Sequence, residues 1–287
     1  MAQAQIGVIG GSGLYQIEGL TEIEEVDITT PFGNPSDAIT IGTLSGQRVA
    51  FLPRHGRGHR LSPSELPARA NIYALKSLGV QSIISVSAVG SLKEEFRPLD
   101  LVIPDQLLDR TKGIRPATFF GNGLVVHVAF AEPFCSELSK ALYTAAQGVA
   151  PRVHCGGTLV VMEGPQFSTK AESFFYRQLR ADLIGMTALP EAKLAREAEI
   201  CYATIALVTD YDCWHEAEES VTVELVIQNL LRNVETAKKL LAAALPQLAT
   251  ERTCGCQSAL KDAIITQRDL IPEETKKRVG LLTNKYI

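Results

Sequence analysis

The chain has 287 residues, 46% of them hydrophobic and 21% charged, with a formal net charge of -4. That length and apolar share suit a full core, as one large α/β domain or one and a half small ones. The mild acidity leaves no electrostatic footprint for nucleic acid, and no Lys/Arg run marks an anionic membrane surface. No apolar stretch reaches membrane-spanning length and no segment reads as a secretory signal, so the expected location is cytoplasmic.

In chain order, the apolar run Ile6 to Ile9 reads as a first strand, followed by the glycine turn Gly10-Gly11-Ser12-Gly13. Its backbone N–H groups and one hydroxyl suit a small anion, although a bare turn has the same composition. No Gly-Lys-Ser or Gly-Lys-Thr follows for a phosphate loop of the Walker type, and the third glycine of a dinucleotide fingerprint falls on Gln16. Short β-type runs follow at 39–41, 49–52, 82–86, 101–103 and 158–161. They alternate with helical segments expected at 63–78, 133–147, 169–180, 190–199 and 221–245, several opening on proline. The run 203–208 is almost wholly apolar, reads as a central strand, and leads directly into Thr209-Asp210-Tyr211-Asp212. This rhythm defines an α/β class, with a sheet flanked by helices.

Ligands of open α/β sheets bind at the carboxyl ends of strands. The segments there carry Arg54 and His55 after Leu52, Ser87 to Ser91 after Val86, "MEGPQFST" after Val161, and Gly185-Met186-Thr187 after Ile184. Arg54 can fork two oxygens of a phosphate and His55 can add a donor; equally, Arg54 can pair with a carboxylate and His55 pack in its loop. Asp210 and Asp212 face the same way if the strand continues, and paired carboxylates tune each other's pKa. A helix or loop cap is the competing role for Asp212. Trp214 reads as packing. No Gly-x-Ser-x-Gly elbow is present, so a covalent hydrolase is not expected.

Cysteines stand at 135, 155, 201, 213, 254 and 256. Four read as small buried residues, while Cys254 and Cys256 read as free thiols on a tail or as a strained disulfide. No zinc pattern is complete, so no metal is expected.

The stretches "GVIGGSGLY", "TPFGNPS", "FLPRHGRGHRLSP", "SAVGSL", "AEPFC", "EGPQFSTKAES", "GMTALPEAKLARE" and "TDYDCW" stand in this order between about residue 5 and residue 245. Together they resemble the purine nucleoside phosphorylase family, in its 5'-methylthioadenosine phosphorylase branch. The resemblance implies a mixed sheet in a nucleoside phosphorylase domain over 1–250, with 251–287 as a helical extension of it. It implies a homotrimer or dimer of trimers acting on small molecules only, without metal or organic cofactor, inorganic phosphate being a co-substrate. By motif, Ser12, Arg54, His55, Ser87, Ala88 and Thr187 would bind phosphate. Phe167, Ser168, Met186, Asp210, Asp212 and Val223 would hold the nucleoside, with His127 lent by a neighbouring subunit. The catalytic group would be Asp210, Asp212 and His55. Phosphorylases for 6-oxopurines carry Glu at the position of Ser168 and Asn at that of Asp210, so the branch signature favours a 6-amino base. Gly185 stands where the family commonly has Asn, and Val89 where Cys or another small residue is common. A 6-oxopurine or methylthioinosine phosphorylase, and a noncatalytic purine-binding protein, are the rival expectations.

Overall fold

A computed structural model describes residues 3–11, 14, 17–215, 223–248 and 251–287, with the backbone alone over 223–226. Among these, eleven strands form one mixed sheet with helices on both faces. Its centre is β5 (Ser82–Ser91), flanked by the parallel strands β1 (Ile6–Gly10) and β11 (Cys201–Asp210). β1 in turn pairs in parallel with β4 (Gln47–Pro53), bringing Gly10 opposite Pro53. All residues of β1 and β11 are buried, as expected of strands covered on both faces.

Side-chain alternation distributes these strands between two cores. Ile9, Ile83 and Tyr202 point to the core shared with α1 (Ala68–Ser77) and α4 (Ala188–Glu197). Val8, Ile84 and Ala203 point to the core under α2 (Ser136–Gln147) and α5 (Val223–Ala244). The opposite periphery is β2 (Thr21–Val26), whose Thr-Glu-Ile-Glu-Glu-Val sequence is exposed along most of its length. It pairs with β3 (Ile39–Leu44), and its charges protect that edge of the sheet.

Two expected helix starts shift for local reasons. The helix expected from Pro63 begins at Ala68: Leu66 precedes Pro67, which excludes the α conformation there, and Pro67 takes the N-cap position. The helix expected from Pro190 begins at Ala188 and passes through a non-helical Leu189. The 169–180 expectation corresponds to α3 (Lys170–Gln178), opened by a capping box in which Thr169 and Glu172 satisfy each other's backbone N–H.

The segment after residue 250 packs on the body of the protein. It ends in α6 (Glu273–Thr283), and Leu260, Ile271, Val279 and Leu282 join the α1/α4 core. Glu199 anchors it, accepting from the Leu260 N–H at 3.1 Å and the Tyr286 hydroxyl at 2.5 Å. Cys256 is buried rather than displayed on a solvated tail, which corrects the expectation of a pair of surface thiols.

Glu197, at the end of α4, accepts from Thr118 Oγ1 at 2.7 Å and the Phe119 N–H at 2.8 Å, with no Lys or Arg in ion-pair range among the described residues. Burial pushes its carboxyl up to about 7. A folded-state value above the unfolded one means that this group's contribution is full below about pH 4.5 and is lost as pH rises through 7. Thermal melts from pH 5 to 8 should show the loss, worth on the order of 3 kcal/mol from the size of the shift. Glu197→Gln should flatten this part of the profile; an unchanged slope would exclude Glu197 as its source.

Candidate active site

The carboxyl ends of β1 and β4 meet the middle of β5 at Arg54. Its backbone N–H bonds the Gly10 carbonyl at 2.9 Å, and its side chain is only 2% exposed. Nε donates to Glu191 Oε1 at 2.6 Å, Nη1 to the Val86 carbonyl at 2.8 Å, and Nη2 to Ser85 Oγ at 2.7 Å. The carboxylate partner offered by the second sequence reading of Arg54 is present, and it holds the guanidinium against Ser85 and Val86, the two residues before Ser87. One of the two Nη1 hydrogens keeps no acceptor among the described residues. Ser87 Oγ and Thr187 Oγ1 lie 3.2 Å apart, and Ala88 is exposed next to them. Ser12 lies outside the described residues.

His55 follows on the same segment, its ring stacked on His59 with centroids 4.2 Å apart. Burial, then the neighbouring Arg54 charge, push its pKa down to about 4, so the ring is neutral at pH 7. Nδ1 lies 2.8 Å from the Leu61 carbonyl, which assigns the hydrogen to Nδ1 and leaves Nε2 an acceptor. The neutral ring thus accepts where the sequence suggested a donor. A doubly charged anion beside it would draw a proton onto Nε2 and restore the donor.

Three residues further along β5, the carboxylates gather. Register shifts between Val208 and Asp210 set Asp210 opposite Gly90. Asn229 and Asn233 of α5 clamp this irregularity, donating to the carbonyls of Thr209 and Val208 at 2.7 and 2.9 Å. Asp210 is 6% exposed; Oδ2 accepts from Thr209 Oγ1 at 2.6 Å and Oδ1 from the Asp212 N–H at 2.8 Å. A Cβ on residue 90 would sit 3.0 Å from Asp210 Oδ1 and 2.9 Å from Ile184 Cγ2, so glycine there makes room for the carboxylate. Asp212 adopts φ +53°, the left-handed region that Asp tolerates. Burial first, with the Asp210 charge adding to it, raises its carboxyl pKa.

The loop carrying Phe167 and Ser168 is tied to this pair through Cys213, whose thiol lies 3.3 Å from the Ser168 carbonyl. Ser168 Oγ reaches Met162 Sδ at 3.5 Å, and Phe167 is 52% exposed. Met186 packs on Gly164 at positive φ, where a Cβ would lie 2.5 Å from the Met186 sulfur. Trp214 packs as expected, its indole N–H on the Ser91 carbonyl at 2.8 Å and Arg177 over its ring. Val223 is the first residue of α5, its side chain outside the described set. The His127 side chain is exposed and its backbone N–H bonds the Ala263 carbonyl at 2.8 Å.

Two supports escaped the sequence reading. Glu191 looks like an ordinary charge on α4, yet lies three and four residues from Leu194 and Ala195, which are fully buried; that spacing was the available signal. Arg115 gave none, sitting in an irregular loop. Its buried guanidinium donates to Glu163 Oε1 at 2.8 Å and to the carbonyls of Met186 and Leu189 at 2.6 and 2.9 Å, locking the Met186 segment to the Phe167 loop.

Val86 to Gly90 thus carries an anion-type group at one end and a carboxylate pair at the other, separated by about 10 Å from Ser87 to Gly90 at ordinary strand rise. That layout on a mixed α/β sheet can offer hydrogen-bond donors to an anion at one end and a carboxylate pair to a small polar molecule at the other. The phosphorylase superfamily model matches residues 5–246, and the chain belongs to that superfamily. It is 60% identical over 286 residues to S-methyl-5'-thioadenosine phosphorylase of Chloroflexus aurantiacus, covering 100% of this chain and 99% of the relative. It is 59% identical over 289 residues to the protein of that name from Gloeobacter violaceus, covering 99% and 96%. A methylthioadenosine phosphorylase crystal structure from an antarctic soil metagenomic library superposes with a TM-score of 0.94 at 53% identity, covering 99% of this chain and 100% of the other. The Schistosoma mansoni methylthioadenosine phosphorylase in complex with adenine gives 0.83 at 36%, covering 92% and 99%.

Proposed function

We propose that the chain catalyses phosphorolysis of S-methyl-5'-thioadenosine to adenine and 5-methylthioribose 1-phosphate. The observation that carries this reading is the opposition, along one strand, of the Arg54, Ser87 and Thr187 group to the Asp210 and Asp212 pair. Phosphate seated by Ser12, Arg54, His55, Ser87, Thr187 and the Ala88 N–H attacks the anomeric carbon. Its charge stabilises the oxocarbenium-like sugar as the base departs. Asp210 shares a proton with the departing purine, whose ring accumulates negative charge, and Asp212 accepts from the exocyclic amino group. Phe167 and Ser168 complete the base site, Met186 packs under the ribose, and Val223 provides an aliphatic wall for the methylthio group. Asp at 210 and Ser at 168 favour adenine over a 6-oxo base, because a mismatched buried polar group is costly. The reaction uses no organic cofactor and no metal at this site.

His127 is exposed on a segment paired with residues 263–264, which leaves it available for donation to a neighbouring subunit in a trimer or a dimer of trimers. Among the described residues no helix is long and apolar enough to cross a membrane, in keeping with action in the cytoplasm. The test is release of free adenine from methylthioadenosine with and without inorganic phosphate, beside inosine and adenosine. Phosphate-dependent release with little turnover of inosine is expected. Preference for inosine would sink the base-site assignment, and turnover of no nucleoside would turn the weight to a binding protein.

A further inference from the structure

Four of the six cysteines converge far from the reaction centre. Cys135 holds the N-cap position of α2, Cys201 opens β11, and Cys254 and Cys256 lie on the 3-10 turn Gly255–Ser258 and its N-cap. Their sulfurs all lie within 4.8 Å of one another, with Cys201 and Cys254 at 3.3 Å. Cys135, Cys201 and Cys256 are 3%, 1% and 7% exposed. From Cys201 to Asp210 the strand runs nine residues, about 30 Å at ordinary rise, so the cluster takes no part in nucleoside chemistry.

We propose that Cys135, Cys201, Cys254 and Cys256 form a structural site for one thiophilic divalent cation, with zinc the best fit. A tetrahedral ion with Zn–S bonds of about 2.3 Å places its four sulfurs about 3.8 Å apart, within the span these sulfurs occupy. Binding exchanges four thiol protons for one cation, with no oxidant required. The resulting double negative charge faces the N-terminal end of α2, and Arg252, whose Nη1 bonds the Glu199 carbonyl at 2.8 Å, is held beside the Cys201 end of β11. Cys155 is exposed and Cys213 engages Ser168, so neither belongs to the set.

The site explains why the tail is fastened. It ties that segment to α2 and the central strand just before residues 263–266 pair with the His127 segment, through His127 N–H to Ala263 and Val126 opposite Ile264. The sequence expectation of no metal rested on the missing Cys-x-x-Cys pairs. Here two ligands come from Cys-x-Cys and two from elements that only folding brings near.

The experiment measures zinc by elemental analysis in protein purified without chelator from zinc-replete cells, with the thiols then titrated after denaturation. About one equivalent of zinc per chain is expected, with all six thiols titratable. The cobalt-substituted protein should show the intense visible bands of a tetrahedral tetrathiolate site. Cys256→Ser should lose the metal and melt at lower temperature, whereas Cys155→Ser should keep both. Zinc-free protein with four thiols missing and a mass lower by four hydrogens would replace the proposal with two disulfides. Zinc-free protein with six free thiols and an unchanged melt after chelation would overturn it outright. If Cys256→Ser fails to fold, the zinc content and cobalt spectrum of the parent chain still decide.

Discussion

Asp210→Ala should lower kcat for methylthioadenosine phosphorolysis by about 10²- to 10⁴-fold, the usual weight of a positioned proton donor, while the KM for phosphate changes little. The separation of effects follows from the layout: the carboxylate stands at the end proposed to hold the base, about 10 Å along β5 from Ser87 at ordinary strand rise. Asp210 is already oriented, one oxygen taking the Thr209 hydroxyl and the other the Asp212 N–H, so its removal also releases the turn that holds Asp212. Asp210→Asn keeps the volume and one acceptor and separates the proton from the packing. It should fold with a near-parental melting temperature, lose most turnover of the 6-amino nucleoside, and shift the ratio of activities toward inosine. Steady-state kinetics on both nucleosides with phosphate varied will check this. An Asn variant retaining full activity on methylthioadenosine would remove Asp210 from the reaction.

Glu191→Ala should destabilise the protein by about 3–5 kcal/mol, the cost of leaving a buried guanidinium without its partner. Glu191 and Arg54 are each 2% exposed, and the Glu191 carboxylate also receives the Tyr202 hydroxyl at 2.9 Å, so no water takes its place at low cost. At roughly 2–4 °C per kcal/mol for a domain somewhat smaller than this one, the melting temperature falls by about 10 °C. Replacing both partners together, Arg54→Met with Glu191→Leu, should recover much of that stability because no charge is left uncompensated. The double variant should nevertheless lose phosphate affinity and turnover. A Glu191→Ala protein that melts like the parent would show that the pair contributes nothing to the fold.

Much of this site is legible in one dimension because its residues follow strands. Gly10, Arg54, Ser87 and Asp210 each stand at or near the carboxyl end of a buried apolar run; the parallel register of β1, β4 and β5 aligns the first three, and β11 carries Asp210 three residues further, opposite Gly90. The Glu-rich edge strand β2 carries no apolar alternation to mark it in the sequence, and Pro63 imitates the helix opening that Pro67 supplies for α1. Arg115 and Glu191 were invisible or ambiguous for another reason. A charge becomes structural only when a counter-charge from a distant segment desolvates with it, and Arg115 meets Glu163 48 positions away, Arg54 meets Glu191 137 away.

The α/β class, the central strands and the segments bearing the chemistry could be read from residue order, since periodicity, capping and glycine placement are local properties, and the family from the resemblance of eight short stretches in their order. Folding alone settled the partner of Arg54, the neutral state of His55, the packing of residues after 250 and the meeting of four cysteines. Burial, register and long-range pairing depend on which segments become neighbours, and sequence separation carries no measure of that distance.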